Sequence, residues 1–187
     1  MSLNINKAIS KVLVSETEIN EICENLGKRI TEDYKNHNNL ILLGLLKGCV
    51  PFMSDLMKHI DLPVELEYMN VSSYKGGISS SGDIKILMDI NTSVVDRDIL
   101  ICEDIVDTGK TLNTIVKLLL YRGAKSVEVV TLLDKPEGRV IPFTPKYIGV
   151  TIPKYFVVGY GLDFDELYRN LPYVGVLKEH YYMKDKE

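Results

Sequence analysis

Three short, almost wholly apolar runs, residues 39–46, 98–102 and 126–133, constrain this chain most. Each has the length of a strand. Runs so lacking in polar residues suit strands covered on both faces of a parallel sheet. Helical patterns fall between and around them. Ser15 and Glu18 form a capping-box pair, and Ile19, Ile22, Leu26 and Ile30 follow at helical spacing, so residues 16–36 read as one amphipathic helix. Pro51 suits the first turn of a helix carrying Phe52, Met53, Leu56, Met57 and Ile60. Leu112, Ile115, Val116 and Leu119 make a third helix, with Gly123 placed to end it. Further strands are expected at 64–71, 84–90, 147–152, 155–160 and 173–182. Strand and helix alternate through the middle of the chain, which predicts an α/β fold with a parallel sheet. No repeat or linker divides the sequence, so residues 1–187 are expected to form one domain. The N-terminal part and residues from about 155 to 187 are left over to build a small hood subdomain.

Composition removes several classes. The net charge is −4 and the isoelectric point about 5.5, which disfavours a nucleic-acid partner. No apolar stretch approaches the roughly 20 residues that span a bilayer, and the N-terminus lacks the apolar centre of a signal peptide. Cys23, Cys49 and Cys102 form no CxxC pair and sit in or beside apolar runs. They read as reduced, buried thiols of a cytoplasmic protein.

The chemistry concentrates in residues 99–111, ILICEDIVDTGKT. Ligands of open α/β sheets bind beyond the carboxyl ends of the strands, and this segment leaves such an end. Glu103, Asp104 and Asp107 place three carboxylates within five residues. Unpaired, they repel one another, and a metal or a hydroxyl-rich ligand would relieve that repulsion. Thr108, Gly109, Lys110 and Thr111 then open a helix, where backbone N–H groups attract phosphate. A Walker A loop is excluded, because that motif needs glycine where Asp104 stands. The segment predicts a site for a phosphorylated sugar.

ICEDIVDTGKT resembles the signature of the type I phosphoribosyltransferases, which bind phosphoribosyl pyrophosphate. LLKGCVPF at 45–52, SSYKGG at 72–77, LLDKPEGR at 132–139 and FVVGYGLDFDELYRNLPYVGVL at 156–177 resemble the hypoxanthine-guanine branch, in order along the chain. The resemblance implies a Rossmann-like parallel-sheet core, a small hood and a flexible hairpin lid at 72–83. It implies Mg²⁺ as cofactor, a 6-oxopurine base and phosphoribosyl pyrophosphate as substrates, and a homodimer or homotetramer. It also implies roles. Glu103 and Asp104 would hold ribose hydroxyls and, with Asp163, Mg²⁺. Asp107 would be the general base at purine N7. Thr108, Gly109, Lys110 and Thr111 would cradle the 5′-phosphate, while Lys47, Gly48 and Arg169 would hold pyrophosphate. The Leu46–Lys47 peptide is often cis in the family. Ser73 and Tyr74 would belong to the lid. Lys135 would bond the exocyclic oxygen of the purine, Phe156 would stack on the base, and Val157 would meet its edge through the backbone. Cys49 and Gly161 depart from the family's usual Gly and Ala.

On the residues alone, several of these positions carry a second meaning. Asp107 also reads as a helix N-cap, a role that can coexist with that of base; Phe156 alone reads more often as core, and Asp163 equally as a turn residue. Lys135 reads as a surface lysine, and Arg169 as a partner of Asp165 on a short helix. Two other functions stay open: a ligand-sensing regulator that keeps the fold and binds nucleic acid, and a transferase for xanthine or a pyrimidine.

Overall fold

A computed structural model describes residues 5–73 and 84–183. Six strands form the main sheet: β2 (Leu40–Leu46), β3 (Glu65–Ser73), β4 (Ile84–Met88), β5 (Asp98–Val106), β6 (Ser126–Asp134) and β7 (Tyr147–Thr151). Their order is β4-β3-β2-β5-β6-β7, parallel throughout except for the β3–β4 hairpin. The three apolar runs occupy its centre, and Leu42, Leu43, Ile99, Leu100, Ile101, Val130 and Leu132 are fully buried there. Helices α1 (Glu16–Tyr34) and α2 (Val50–Leu56) cover one face, and α3 (Lys110–Tyr121) covers the other. The capping box at Ser15 and Glu18 is present, a feature that stabilises a helix start by about 1 kcal/mol. Among the described residues no helix is long and apolar enough to cross a membrane. All three cysteines are free and buried.

The two ends of the chain build a second, antiparallel sheet from β1 (Ile9–Val14), β8 (Val157–Val158) and β9 (Val174–Leu177). This is the expected hood. Strand β1 was not anticipated, because it is a mostly exposed edge strand whose pairing slips twice, so its residues show little alternation.

Several elements differ from the sequence reading near the site. Strand β5 does not stop at residue 102. Glu103, Ile105 and Val106 go on pairing with Thr131, Leu133 and Asp134 of β6, so the first two acids lie on the strand itself. The strand expected at 155–160 shrinks to Val157–Val158, because Gly159, Tyr160 and Gly161 take φ of 97°, 48° and 99°. The strand expected at 173–182 ends at Leu177, and a short helix α4 (Glu179–Tyr182) follows. No helix carries Arg169; Asp165, Glu166 and Tyr168 have φ of 50°, 66° and 74°, which breaks any helical path. At the expected lid, Ser72 and Ser73 extend β3 beside Lys85 and Ile84. Tyr74 and the rest of the loop, 74–83, lie outside the described residues.

Candidate active site

Strands β2 and β5 run side by side in parallel, so their carboxyl ends open at the same edge. The Leu46–Lys47 peptide that leaves β2 is cis. The backbone of Gly48 then lies against Asp104: a Cβ added to Gly48 would stand 1.7 Å from Asp104 Oδ2. A hood loop closes from above, and a Cβ on Gly161 would stand 2.0 Å from the Gly48 carbonyl oxygen. A Cβ at Gly48 would displace the Asp104 carboxylate, and one at Gly161 would require the backbone there or at Gly48 to shift. Tyr160 ties the same hood loop down by donating to Asp55 Oδ2 on α2 at 2.6 Å.

A cavity of about 360 Å³ lies where they meet. Lys47, Gly48, Glu103, Asp104, Asp107, Thr108, Gly109, Thr111, Asp163 and Arg169 line it. Glu103 and Asp104 form its acidic floor. Asp104 is 8 % exposed, accepts a bond from the Ile105 N–H at 2.7 Å and shares a carboxyl–carboxylate hydrogen bond with Glu103. Burial, together with the charge of Asp104, pushes the Glu103 carboxyl well above the usual carboxylate range, and burial pushes Asp104 up as well. The opposite wall is the start of α3, where Gly109 has φ of 79° and Thr108 and Thr111 present hydroxyls. Gly109 supplies no side-chain cap, and the Lys110 N–H makes only a long bond of 3.4 Å to Thr108 Oγ1, so this helix start suits an anion. Lys110 begins the helix but stays exposed and does not line the cavity.

A second hollow of about 240 Å³ adjoins the first through their shared residues Ile105 and Asp107. Lys135, Tyr155, Phe156, Val157 and Leu162 complete it. Lys135 leaves the end of β6 and brings Nζ within 2.5 Å of Asp107 Oδ2. Phe156 stacks on Tyr182 (centroids 4.5 Å apart, planes 13° apart) and meets Phe164 edge-on. An acid, an amine and an aromatic ring thus surround one slot beside the anion cradle.

Comparison with known proteins decides the family. The family model for the phosphoribosyl transferase domain matches residues 14–165. The chain belongs to the phosphoribosyltransferase family. It is 56% identical over 181 residues to the hypoxanthine-guanine phosphoribosyltransferase of Lactococcus lactis, covering 97% of this chain and 98% of that protein. The Streptococcus pyogenes protein of the same name is 52% identical over 180 residues, covering 96% and 99%. The crystal structure of a hypoxanthine phosphoribosyltransferase from Staphylococcus aureus superposes with a TM-score of 0.93 at 47% identity, covering 98% of this chain and all of that one. The Trypanosoma cruzi enzyme in complex with the product IMP gives 0.89 at 40% identity, covering 94% and 98%.

In this phosphoribosyltransferase, Arg169 does not pair with Asp165 as its spacing suggests. Its Nη2 lies 2.9 Å from Asp163 Oδ1 and 3.2 Å from Glu166 Oε2, and its Nη1 donates to the Gly161 carbonyl at 2.7 Å. The sequence reading missed Arg139. This side chain links two walls of the smaller hollow. Nη1 donates to the carbonyls of Val106, of Asp107 at 2.6 Å and of Lys135 at 3.4 Å. Nε donates to the Phe143 carbonyl at 3.1 Å, and Nη2 meets the Asp134 carboxylate. One guanidinium thereby fixes the backbone of both Asp107 and Lys135. The neighbouring Gly138 leaves room for the Asp107 carboxylate, since a Cβ there would stand 1.7 Å from Oδ1. The stretch LLDKPEGR contains both residues, but nothing in their spacing says that they act through backbone carbonyls.

Proposed function

We propose that this transferase joins a 6-oxopurine, hypoxanthine and guanine in particular, to the ribose of phosphoribosyl pyrophosphate, releasing IMP or GMP and pyrophosphate. The observation that carries this reading is the meeting of Asp107 and Lys135 in one slot, directly beside the anion cradle at the start of α3.

The chemistry follows from the residues. A purine nitrogen displaces pyrophosphate at ribose C1, and positive charge builds on the sugar ring, as in related glycosyl transfers. Asp107 accepts the proton that the purine carries at N7. Lys135, a donor only, bonds an oxo group and leaves an amino group unmatched, which discriminates against adenine. Phe156 covers the face of the base, and the Val157 backbone meets its edge. The start of α3 holds the 5′-phosphate. Lys47, the Gly48 backbone and Arg169 hold the pyrophosphate end.

The donor set fits Mg²⁺. Glu103 and Asp104 are adjacent carboxylates that burial makes costly to ionise, Glu103 further so beside the charge of Asp104, and Asp163 lines the same cavity. Among the described residues no three His, Cys, Asp or Glu side chains are grouped to hold a metal alone. A hard cation that keeps several waters and takes one or two carboxylates, with the rest from substrate oxygens, needs no such cage. When bound, Mg²⁺ offsets the charge that collects on the leaving pyrophosphate.

Core and hood both contribute to the one cavity, so we treat residues 1–187 as a single domain, with Ser73 and Tyr74 on a lid. Three free, buried thiols support a cytoplasmic setting. The family resemblance favours a homodimer or homotetramer, which sedimentation would read. The test of function is pyrophosphate release from phosphoribosyl pyrophosphate and Mg²⁺ with each base. Hypoxanthine and guanine should turn over and adenine should not. No release with either oxopurine would sink the proposal, and turnover on adenine alone would overturn the role of Lys135.

A further inference from the structure

Lys47 and Arg169 come from opposite sides of the cleft, one leaving β2 and one on the hood, and both line the larger cavity. Neither faces solvent alone. A single oxygen, Glu166 Oε2, lies 3.0 Å from Lys47 Nζ and 3.2 Å from Arg169 Nη2. Because one atom touches both cations, they stand close enough for a single anion to bridge them. Glu166 reaches this point from an unusual backbone. Its φ is 66°, Asp165 before it has φ of 50°, and its own N–H donates to Asp163 Oδ2 at 2.9 Å. Non-glycine residues seldom hold positive φ, and such sites cluster at ligand clamps. The turn thus delivers a carboxylate to the two groups assigned above to pyrophosphate.

We propose that Glu166 is an internal stand-in for pyrophosphate: with no substrate bound, its carboxylate occupies the anion position between Lys47 and Arg169, and an incoming diphosphate displaces it. This rests on the assignment of Lys47 and Arg169 to pyrophosphate. The device has two consequences. The clamp stays organised without ligand, because Glu166 bridges Lys47 to Arg169, which Asp163 also meets at 2.9 Å, and offsets the repulsion between the two cations. It also weakens the hold on the product, because Glu166 competes for the same donors. Both partners are exposed at this ion pair (Lys47 61 %, Glu166 63 %), so the competition is modest and reversible.

The sign of the effect separates this role from a supporting one. Removing a group that merely supports a site weakens binding, whereas removing a competitor tightens it. The experiment is calorimetric titration of Mg²⁺-pyrophosphate into the whole protein, alongside product inhibition by pyrophosphate. Wild type, Glu166→Gln and Asp165→Asn are compared. Asp165 is an exposed neighbour that makes no ion pair with Lys47 or Arg169, and asparagine tolerates its positive φ. Glu166→Gln should bind pyrophosphate about 2- to 10-fold more tightly than wild type, a range expected for losing exposed ion pairs. Asp165→Asn controls for the loss of one nearby charge and should gain less. Pyrophosphate binding by Glu166→Gln that is unchanged, weaker, or no tighter than that of Asp165→Asn overturns the stand-in. Failure of wild type to bind pyrophosphate at all would instead strike at the function proposed above, so the two failures are distinguishable.

Discussion

Strand β5 carries buried acids at both ends, and the protein treats them in opposite ways. At the amino end, Asp98 is 1 % exposed. Burial alone would push its carboxyl up. The Ser126 hydroxyl at 2.6 Å, His37 Nδ1 at 2.7 Å and Lys125 Nζ at 3.4 Å outweigh burial and hold it below the usual carboxylate range. At the carboxyl end, Glu103 and Asp104 are pushed up by burial, and Glu103 further by its neighbour's charge. No cation of the chain makes an ion pair with either among the described residues. The difference separates an acid matched within the fold from the acids proposed to meet a ligand. A carboxylate whose lone pairs are all met adds stability. One left unmet opposes folding until a ligand arrives, a common arrangement at active sites.

The largest effect that sharpens this contrast is on turnover. Asp107→Asn should lower kcat for hypoxanthine about 10²- to 10⁴-fold, as loss of a general base does. Asp98→Asn, at the other end of the strand, should leave kcat unchanged at a temperature where the variant is folded. Equal losses in both would erase the distinction. Next comes Arg139→Gln, which should lower kcat/KM for hypoxanthine by up to about 100-fold by letting Asp107 and Lys135 drift. It should also narrow the preference for hypoxanthine over adenine. A variant that loses thermal stability while keeping that preference would reduce Arg139 to a structural tie.

Stability carries the smaller effects. Asp98→Asn should cost about 1–3 kcal/mol, since Ser126 and His37 lose a charged partner, and thermal melts would read it as several degrees. The pH dependence should differ in sign between the ends. The folded pKa of Asp98 is lowered, so its contribution is complete above the unfolded value of about 4 and disappears as pH falls through the folded value. The folded pKa of Glu103 is raised. Its penalty is absent below the unfolded value of about 4.3 and grows as pH rises through the folded value. Melts of Glu103→Gln against wild type from acid to neutral pH should therefore diverge as pH rises. Parallel curves would contradict the account of this end of the strand.

Much of this was legible in the residues. Three apolar runs fixed the centre of the sheet, and the capping box at Ser15 set the start of α1. The acids and the helix start at 103–111 stood out because opposite chemistries adjoin there, and both line one cavity. Other features left little trace. Strand β1 is too exposed to show alternation. The turn at 164–168 uses positive φ at non-glycine residues, which no composition rule announces, so its DELYR segment read as helix. Arg139 acts through carbonyl oxygens, which every residue carries. Glu166 is defined by its partners in space, not by its neighbours in sequence.

The most direct test of the central contrast measures the activity and ligand-free melting temperature of one variant, Glu103→Gln, at neutral pH. The account predicts that activity falls while the melting temperature rises, by roughly 2–4 °C for each kcal/mol of repulsion and burial penalty relieved. A lower melting temperature with activity retained would show that Glu103 serves the fold as Asp98 does, and would contradict the account.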